Sequence, residues 1–209
     1  MGFIGFARLS VVVAAVLLSA SLLNAGLSPP EEAPKLQSLA GQLLIATPQM
    51  GDPRFYQTVI VVVRHDRNGA LGIIINRPVQ ERSLASLLQA LGEKDTGVAG
   101  SVRIFAGGPV QPEIGFVLHS PDYHGPETVD IDGRVAMTSS LQVLRDIANG
   151  RGPSKSLVAF GYAGWTSNQL EGELRQRAWF TAENDQRLIF DEDRDKVWEE
   201  ATKHRTQDL

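Results

Sequence analysis

Not one of the 209 residues is cysteine. That excludes disulfides, thiolate nucleophiles, Fe–S clusters and thiolate zinc sites. It leaves the compartment open, because cysteine-free chains work on both sides of a membrane. Positive charge is also short: 20 Lys and Arg stand against 24 Asp and Glu, for a net charge of −4. Residues 1–26 hold Arg8 and no acid, so removing them takes one positive charge from −4 and leaves −5. No run of Lys and Arg exceeds two residues. Phosphate binding needs clustered bases, so direct nucleic-acid binding is not expected. No Gly-x-Ser-x-Gly, fixed-period repeat or low-complexity tract occurs.

Long apolar runs are equally scarce, with one exception. Leu9 to Leu23 is interrupted only by Ser10, Ser19 and Ser21, and it follows the lone Arg8. A base before such a run has the form of a secretory signal. Residues 1–26 are therefore expected to be a signal peptide or an N-terminal membrane anchor, slightly short for a full span. The domain would then be periplasmic or held at the inner membrane, touching the membrane only through residues 9–25 if uncleaved. The alternative is a misassigned start ahead of a cytoplasmic domain. Residues 27–39 hold Pro29, Pro30 and Pro34 and read as a linker. Residues 40–209 then form a single domain.

What is present centres on residues 58–78, TVIVVVRHDRNGALGIIINRP. Val59–Val63 and Ala70–Ile75 are β-branched and too short for ordinary helices, so they predict two strands. Asn68-Gly69 supplies residues that accept positive φ, which predicts a hairpin turn there. Neither run alternates apolar with polar, so both faces should be covered. Around this hairpin the pattern predicts strands at 41–46, 102–105, 114–119, 134–138, 157–162 and 188–190. Residues 102–105 and 114–119 are expected to form a second hairpin-like unit, and Arg77-Pro78 to end the first. Helices are expected after Ser83, after Ser140, from a Thr166/Gln169 capping box, and over 191–204. Irregular mixing of the two types gives an α+β class, not repeated βαβ units.

Several segments together resemble the YqgE/AlgH family of bacterial proteins: LLIATPQMGDPRF (43–55), GIIINRP (72–78), GGPV (107–110), VLH (117–119) and GYAGWTSNQLEGEL (161–174), followed by Trp179. Two departures are Thr166-Ser167-Asn168, where the family usually has a glycine-containing turn, and the apolar leader. The resemblance implies a mixed, mainly antiparallel sheet curled into a partial barrel with helices packed around it. It implies no reaction; the family's usual label is transcriptional regulator.

Each polar constellation has a structural and a functional reading. Gly107-Gly108 could expose backbone N–H groups to an anion, or simply make a tight turn. Asn76-Arg77 could clamp a carboxylate or phosphate, or pair with Glu171, Glu173 or a backbone carbonyl. His119, with Asp122 and His124, could hold a metal, although the spacing matches no known ligand pattern and no metal or cofactor is expected. Trp165 with Gln169, Glu171 and Glu173 could be a ligand platform, or a core plug beside a helix cap. The structural reading is favoured for each. Two functions compete. One is a non-enzymatic regulatory or interaction protein, acting through a protein or small-molecule partner, whose effect on transcription would be indirect. The other is a ligand-binding protein or enzyme with a cleft near Arg77, Gly107-Gly108 and Trp165.

Overall fold

The computed structural model describes residues 37–94 and 97–206. The expected leader (1–26) and all but the end of the expected linker lie outside the described residues. Among the described residues no helix is long and apolar enough to cross a membrane.

Among the described residues, ten strands and four short α-helices follow in the order β1 (Gln42–Ala46), β2 (Val59–Asp66), β3 (Gly69–Ile74), β4 (Pro78–Ser83), α1 (Leu84–Ala90), β5 (Ser101–Ala106), β6 (Val110–His119), β7 (Thr128–Asp130), β8 (Ala136–Thr138), α2 (Gln142–Ala148), β9 (Ser156–Thr166), α3 (Gln169–Arg175), β10 (Trp179–Glu183) and α4 (Val197–Lys203). The strands form one sheet in the order β10-β1-β2-β3-β9-β6-β8-β7, with β4 paired to β5 and β5 to β9 off this path, curled into a half-barrel. Pairing is antiparallel except between β5 and β9. The expected class, α+β with a mainly antiparallel curled sheet, is what forms.

The central hairpin is sandwiched as its composition requires. Val59, Val61, Val63, Ile73 and Ile75 pack into one core cluster, while Ile60, Val62, Ala70 and Ile74 pack into another on the opposite face. Each large aliphatic side chain fully buried this way contributes about 1.5–3 kcal/mol. The turn itself is shifted by one residue. Asp66 pairs with Gly69, so the loop residues are Arg67-Asn68. The Asp66 carboxylate accepts the Asn68 N–H at 2.7 Å, an Asx turn that decides the register. Only Gly69 takes positive φ, +130°.

The most connected strand is β9. One edge pairs with β3 through residues 163–166 and with β5 through residues 158–160; the other pairs with β6. Consequently 102–105 and 114–119 are not hairpin partners, because β9 lies between them. Gly107 stitches the point where β3 and β5 diverge: its N–H donates to Phe160 O at 2.7 Å, and its carbonyl accepts from Ile74 N–H at 2.8 Å.

Other expectations need correction. Pro78 opens β4 instead of closing the hairpin; proline is tolerated as the first residue of an edge strand. β4 is almost wholly exposed, so it carried no apolar pattern to detect. β10 was likewise not expected, although it pairs along the whole of β1. Leu188 and Ile189 sit in a π-helical turn over Arg187–Asp191, not a strand. Both join one core cluster, which alternating strand geometry would forbid for neighbours. The last helix covers only α4. Before it, the buried Arg194 guanidinium donates to the carbonyls of Ile75, Ile189 and Glu192, tying this segment to the end of the hairpin. Ser83 caps α1 as expected, accepting Ser86 N–H at 3.2 Å.

Candidate functional site

A pocket of about 330 Å³ opens where five separate stretches meet. The loop after β1 supplies Met50 to Phe55, the start of β6 supplies Val110, the end of β9 supplies Trp165, α3 supplies Gln169 and Glu173, and β10 begins with Trp179. The loop is held at both ends. Thr47 Oγ1 donates to Arg177 O at 2.8 Å, and Thr47 N–H donates to Ala178 O at 3.0 Å. At its far end, Asn76 Nδ2 donates to Gln57 O at 2.9 Å, and the Arg77 guanidinium donates to Tyr56 O. Between them Asp52 caps a single 3-10 turn over Pro53–Phe55, with proline in the first turn, where it is pre-organised.

Glu173 is the polar centre. Its Oε2 accepts both indole N–H groups, from Trp165 at 2.8 Å and from Trp179 at 2.7 Å, while its Oε1 accepts Gln169 Nε2–H at 2.9 Å. The two indoles meet edge to face at 6.0 Å, and Phe55 meets Trp179 edge to face at 5.6 Å. At the rim Arg54 pairs with Asp52 at 2.6 Å. The hydrogen bond from Arg54 holds the Asp52 carboxyl below its ordinary range.

The candidate residues from the sequence separate on the structure. Trp165 lines the pocket. Asn76 and Arg77 do not; they stand behind its wall as braces, and Arg77 meets a backbone carbonyl instead of Glu171 or Glu173. Gly108 lines a neighbouring groove with Val79 and Phe105. Arg77, Gly107-Gly108 and Trp165 therefore do not share one cleft. Gly107 and Gly108 serve a close backbone approach: a Cβ on Gly108 would lie 2.0 Å from Tyr162 C, and one on Gly107 would lie 2.3 Å from Gly161 O.

Glu171 faces away from Glu173. Two residues along a helix turn the side chain by about 200°. Its Oε1 accepts from His65 Nε2 at 3.0 Å, while His65 Nδ1 accepts Leu39 N–H at 3.0 Å. Nothing local in the sequence marks Phe55 and Trp179 as site residues, whereas Glu173 already stands in the Trp165 constellation. The i, i+4 spacing of Gln169 and Glu173 was the available signal for Glu173. The capping box is half formed. Gln169 Oε1 accepts Thr166 N–H at 3.1 Å, but α3 starts at Gln169, with Asn168 at φ +61° as its N-cap.

His119 lies far from this pocket in role and packing. It is fully buried, and both ring nitrogens are engaged: Nδ1 donates to Ser120 O at 2.8 Å, and Nε2 accepts from Thr138 Oγ1 at 2.9 Å. Tyr123 packs edge to face on it at 5.4 Å and donates to Asp146 Oδ2 at 2.8 Å. Burial, then the Asp146 contact, pushes the Tyr123 hydroxyl up to about 12. Asp122 accepts from Ser120 Oγ and Ser154 N–H. Burial lowers the His119 pKa from its ordinary 6.5. The unfolded chain then binds more protons than the fold below pH 6.5, so stability is lost as pH falls through that window. Urea midpoints between pH 7.5 and 5.5 should fall for the wild type, by at most about 1.4 kcal/mol per pH unit from this one group. They should fall less for His119→Gln; equal slopes would remove His119 as the cause.

The family model described as DUF179, AlgH-like, matches residues 43–209. A UPF0301 protein of Rhizorhabdus wittichii is 46% identical over 164 residues, covering 78% of this chain and 88% of its own. One from Methylococcus capsulatus is 43% identical over 176 residues, covering 84% and 96%. Among solved structures, the AlgH protein from Pseudomonas aeruginosa superposes with TM-score 0.70 at 39% identity, over 83% of this chain and 92% of that one. DIP2367 from Corynebacterium diphtheriae shares the fold, with TM-score 0.64 at 16% identity over 80% and 87%. Sequence and fold agree over most of the chain, and the chain belongs to the AlgH-like family.

Proposed function

We propose that this domain is a non-enzymatic binding protein whose ligand or partner group enters the Trp165–Trp179–Glu173 pocket, and that any regulatory effect passes through that contact. One observation carries the reading. Segments 50–55, 109–110, 164–173 and 178–179, remote in sequence, are braced into one aromatic-walled cavity by Thr47, Asn76 and Arg77. A concave, largely aromatic site with a few fixed polar groups suits recognition. Its lining has two carboxylates, a guanidinium and one amide but no hydroxyl, thiol, imidazole or amine side chain. The carboxylates, which could otherwise act as nucleophiles, already hold Arg54, both indoles and Gln169, and that favours binding over covalent catalysis.

Gly51 gives a clean test. It lines the pocket, and a Cβ built on it meets nothing within 4 Å. Gly51→Trp should therefore place an indole at the mouth with a melting temperature close to wild type, which a thermal melt checks first. Across a metabolite panel, a ligand at about 100 times its Kd stabilises by about 2.7 kcal/mol, or roughly 5–11 °C for a domain of this size. Such shifts are expected in the wild type and should vanish in Gly51→Trp. Shifts that persist in the variant place the binding site elsewhere and end this reading.

A further inference from the structure

We infer that the group this pocket accepts is an organic cation, an alkylammonium or guanidinium carried either by a small molecule or by a side chain of a protein partner. The inference rests on the pocket being the binding site, and it names the ligand's chemistry.

Charge comes first. Asp52 and Arg54 neutralise each other at the rim. Glu173 has no such partner: among the described residues no Lys, Arg or His nitrogen comes within ion-pair distance of it, and its three donors are two indoles and an amide. The pocket thus carries one uncompensated negative charge. An ionised carboxylate offers about four acceptor positions, of which these donors occupy three.

The aromatic walls point the same way. The faces of Trp and Phe rings attract cations, Trp most strongly, and the attraction grows when the cation is desolvated. Here both indoles donate N–H to an anion, and such donation polarises the ring toward greater electron density on its face. Trp165 and Trp179 are 7% and 4% exposed, so a group reaching them leaves most of its water behind. An anionic ligand would meet Glu173 and the same ring faces with the opposite sign.

The experiment compares probes of equal shape and different charge. Choline and its neutral carbon isostere, 3,3-dimethylbutanol, are titrated into the full chain, with acetate as the anion. The signals followed are the indole Nε1–H resonances of Trp165 and Trp179. Guanidinium and an N-acetyl-lysine methylamide peptide unit form a second arm, distinguishing a free cation from a side-chain source by which binds more tightly. Choline is expected to shift both resonances, at least about tenfold more tightly than the isostere, with acetate inert. The shifts should be lost in a Gly51→Trp protein whose melting temperature matches wild type. If the isostere or acetate binds as well as choline, and Gly51→Trp abolishes that binding, the cation assignment falls while the pocket stands. If choline shifts neither resonance, or if binding survives in Gly51→Trp, the cation assignment also falls. Survival in that variant for every probe removes the pocket reading with it.

Discussion

Gly108→Ala is expected to leave little or no folded protein. A Cβ at this position would stand 2.0 Å from Tyr162 C, 2.2 Å from Tyr162 O and 2.3 Å from Ala163 N. All three atoms belong to the backbone of β9, so no flexible side chain can move aside. Relief requires the start of β6 to lift away from the strand that also holds β3 and β5. Its φ of +157° adds a conformation that alanine resists. The cost should exceed about 4 kcal/mol, in the range reserved for a small set of severe mechanisms. For a domain with roughly 5–15 kcal/mol of stability, that means aggregation on expression or a melting temperature lowered by at least about 8 °C. Gly107→Ala, with Gly161 O at 2.3 Å, should behave similarly. Gly51→Ala is the control and should stay within about 0.5 kcal/mol of wild type. Thermal melts followed by circular dichroism decide it. A Gly108→Ala protein melting within about 3 °C of wild type would show that β6 and β9 do not need this approach.

Glu173→Ala should be the most damaging change among the pocket's polar residues. It removes the shared acceptor of two nearly buried indole N–H groups and of Gln169. A buried donor left unpaired costs about 1–3 kcal/mol, and water entering the open pocket recovers part of that. A net loss of about 2–4 kcal/mol follows, or roughly 4–16 °C in melting temperature. Glu173→Gln should fall between Ala and wild type, because one oxygen remains to serve the indoles while its amide now opposes a donor. Glu171→Gln should cost less than about 1 kcal/mol, since its oxygen still accepts from His65 Nε2–H. Urea midpoints, with hydrogen exchange at the indole Nε1–H groups, give the order. If Glu173→Ala proves no more harmful than Glu171→Gln, the carboxylate is not what holds the two tryptophans.

Both predictions concern residues that the sequence had brought to notice with partly wrong roles. Gly107-Gly108 was legible as a place where the backbone needs freedom. That the need comes from Tyr162 and Gly161, more than fifty positions later, was not legible, because no local pattern reports a close approach between distant strands. Trp165 was legible as an aromatic corner. Both Glu171 and Glu173 stood beside it in the sequence, and Glu173 is the one that accepts its indole N–H. Helix geometry sets the two acids half a turn apart, and tertiary packing decides that Glu173 is the one facing Trp165. For Asn76 and Arg77 the sequence favoured structural pairing over a ligand clamp, with a backbone carbonyl among the expected partners, and Arg77 donates to Tyr56 O. They brace the wall of the pocket from outside, a role visible only once the 50–57 loop is folded over them.

Composition and local pattern were enough for the sandwiched β2–β3 hairpin, the α+β class, the Ser83-capped helix and the family motifs. These depend on interactions within a dozen or so residues and on the plain cost of wetting β-branched side chains. Only the assembled fold decided the exposed strand β4, the place of β9 between β5 and β6, the π-helical turn at Leu188–Ile189, and the joining of Phe55, Trp165, Glu173 and Trp179 around one cavity. Those features arise from contacts between segments as far apart in sequence as Phe55 and Trp179, and their energy is realised only when the whole sheet has closed around them.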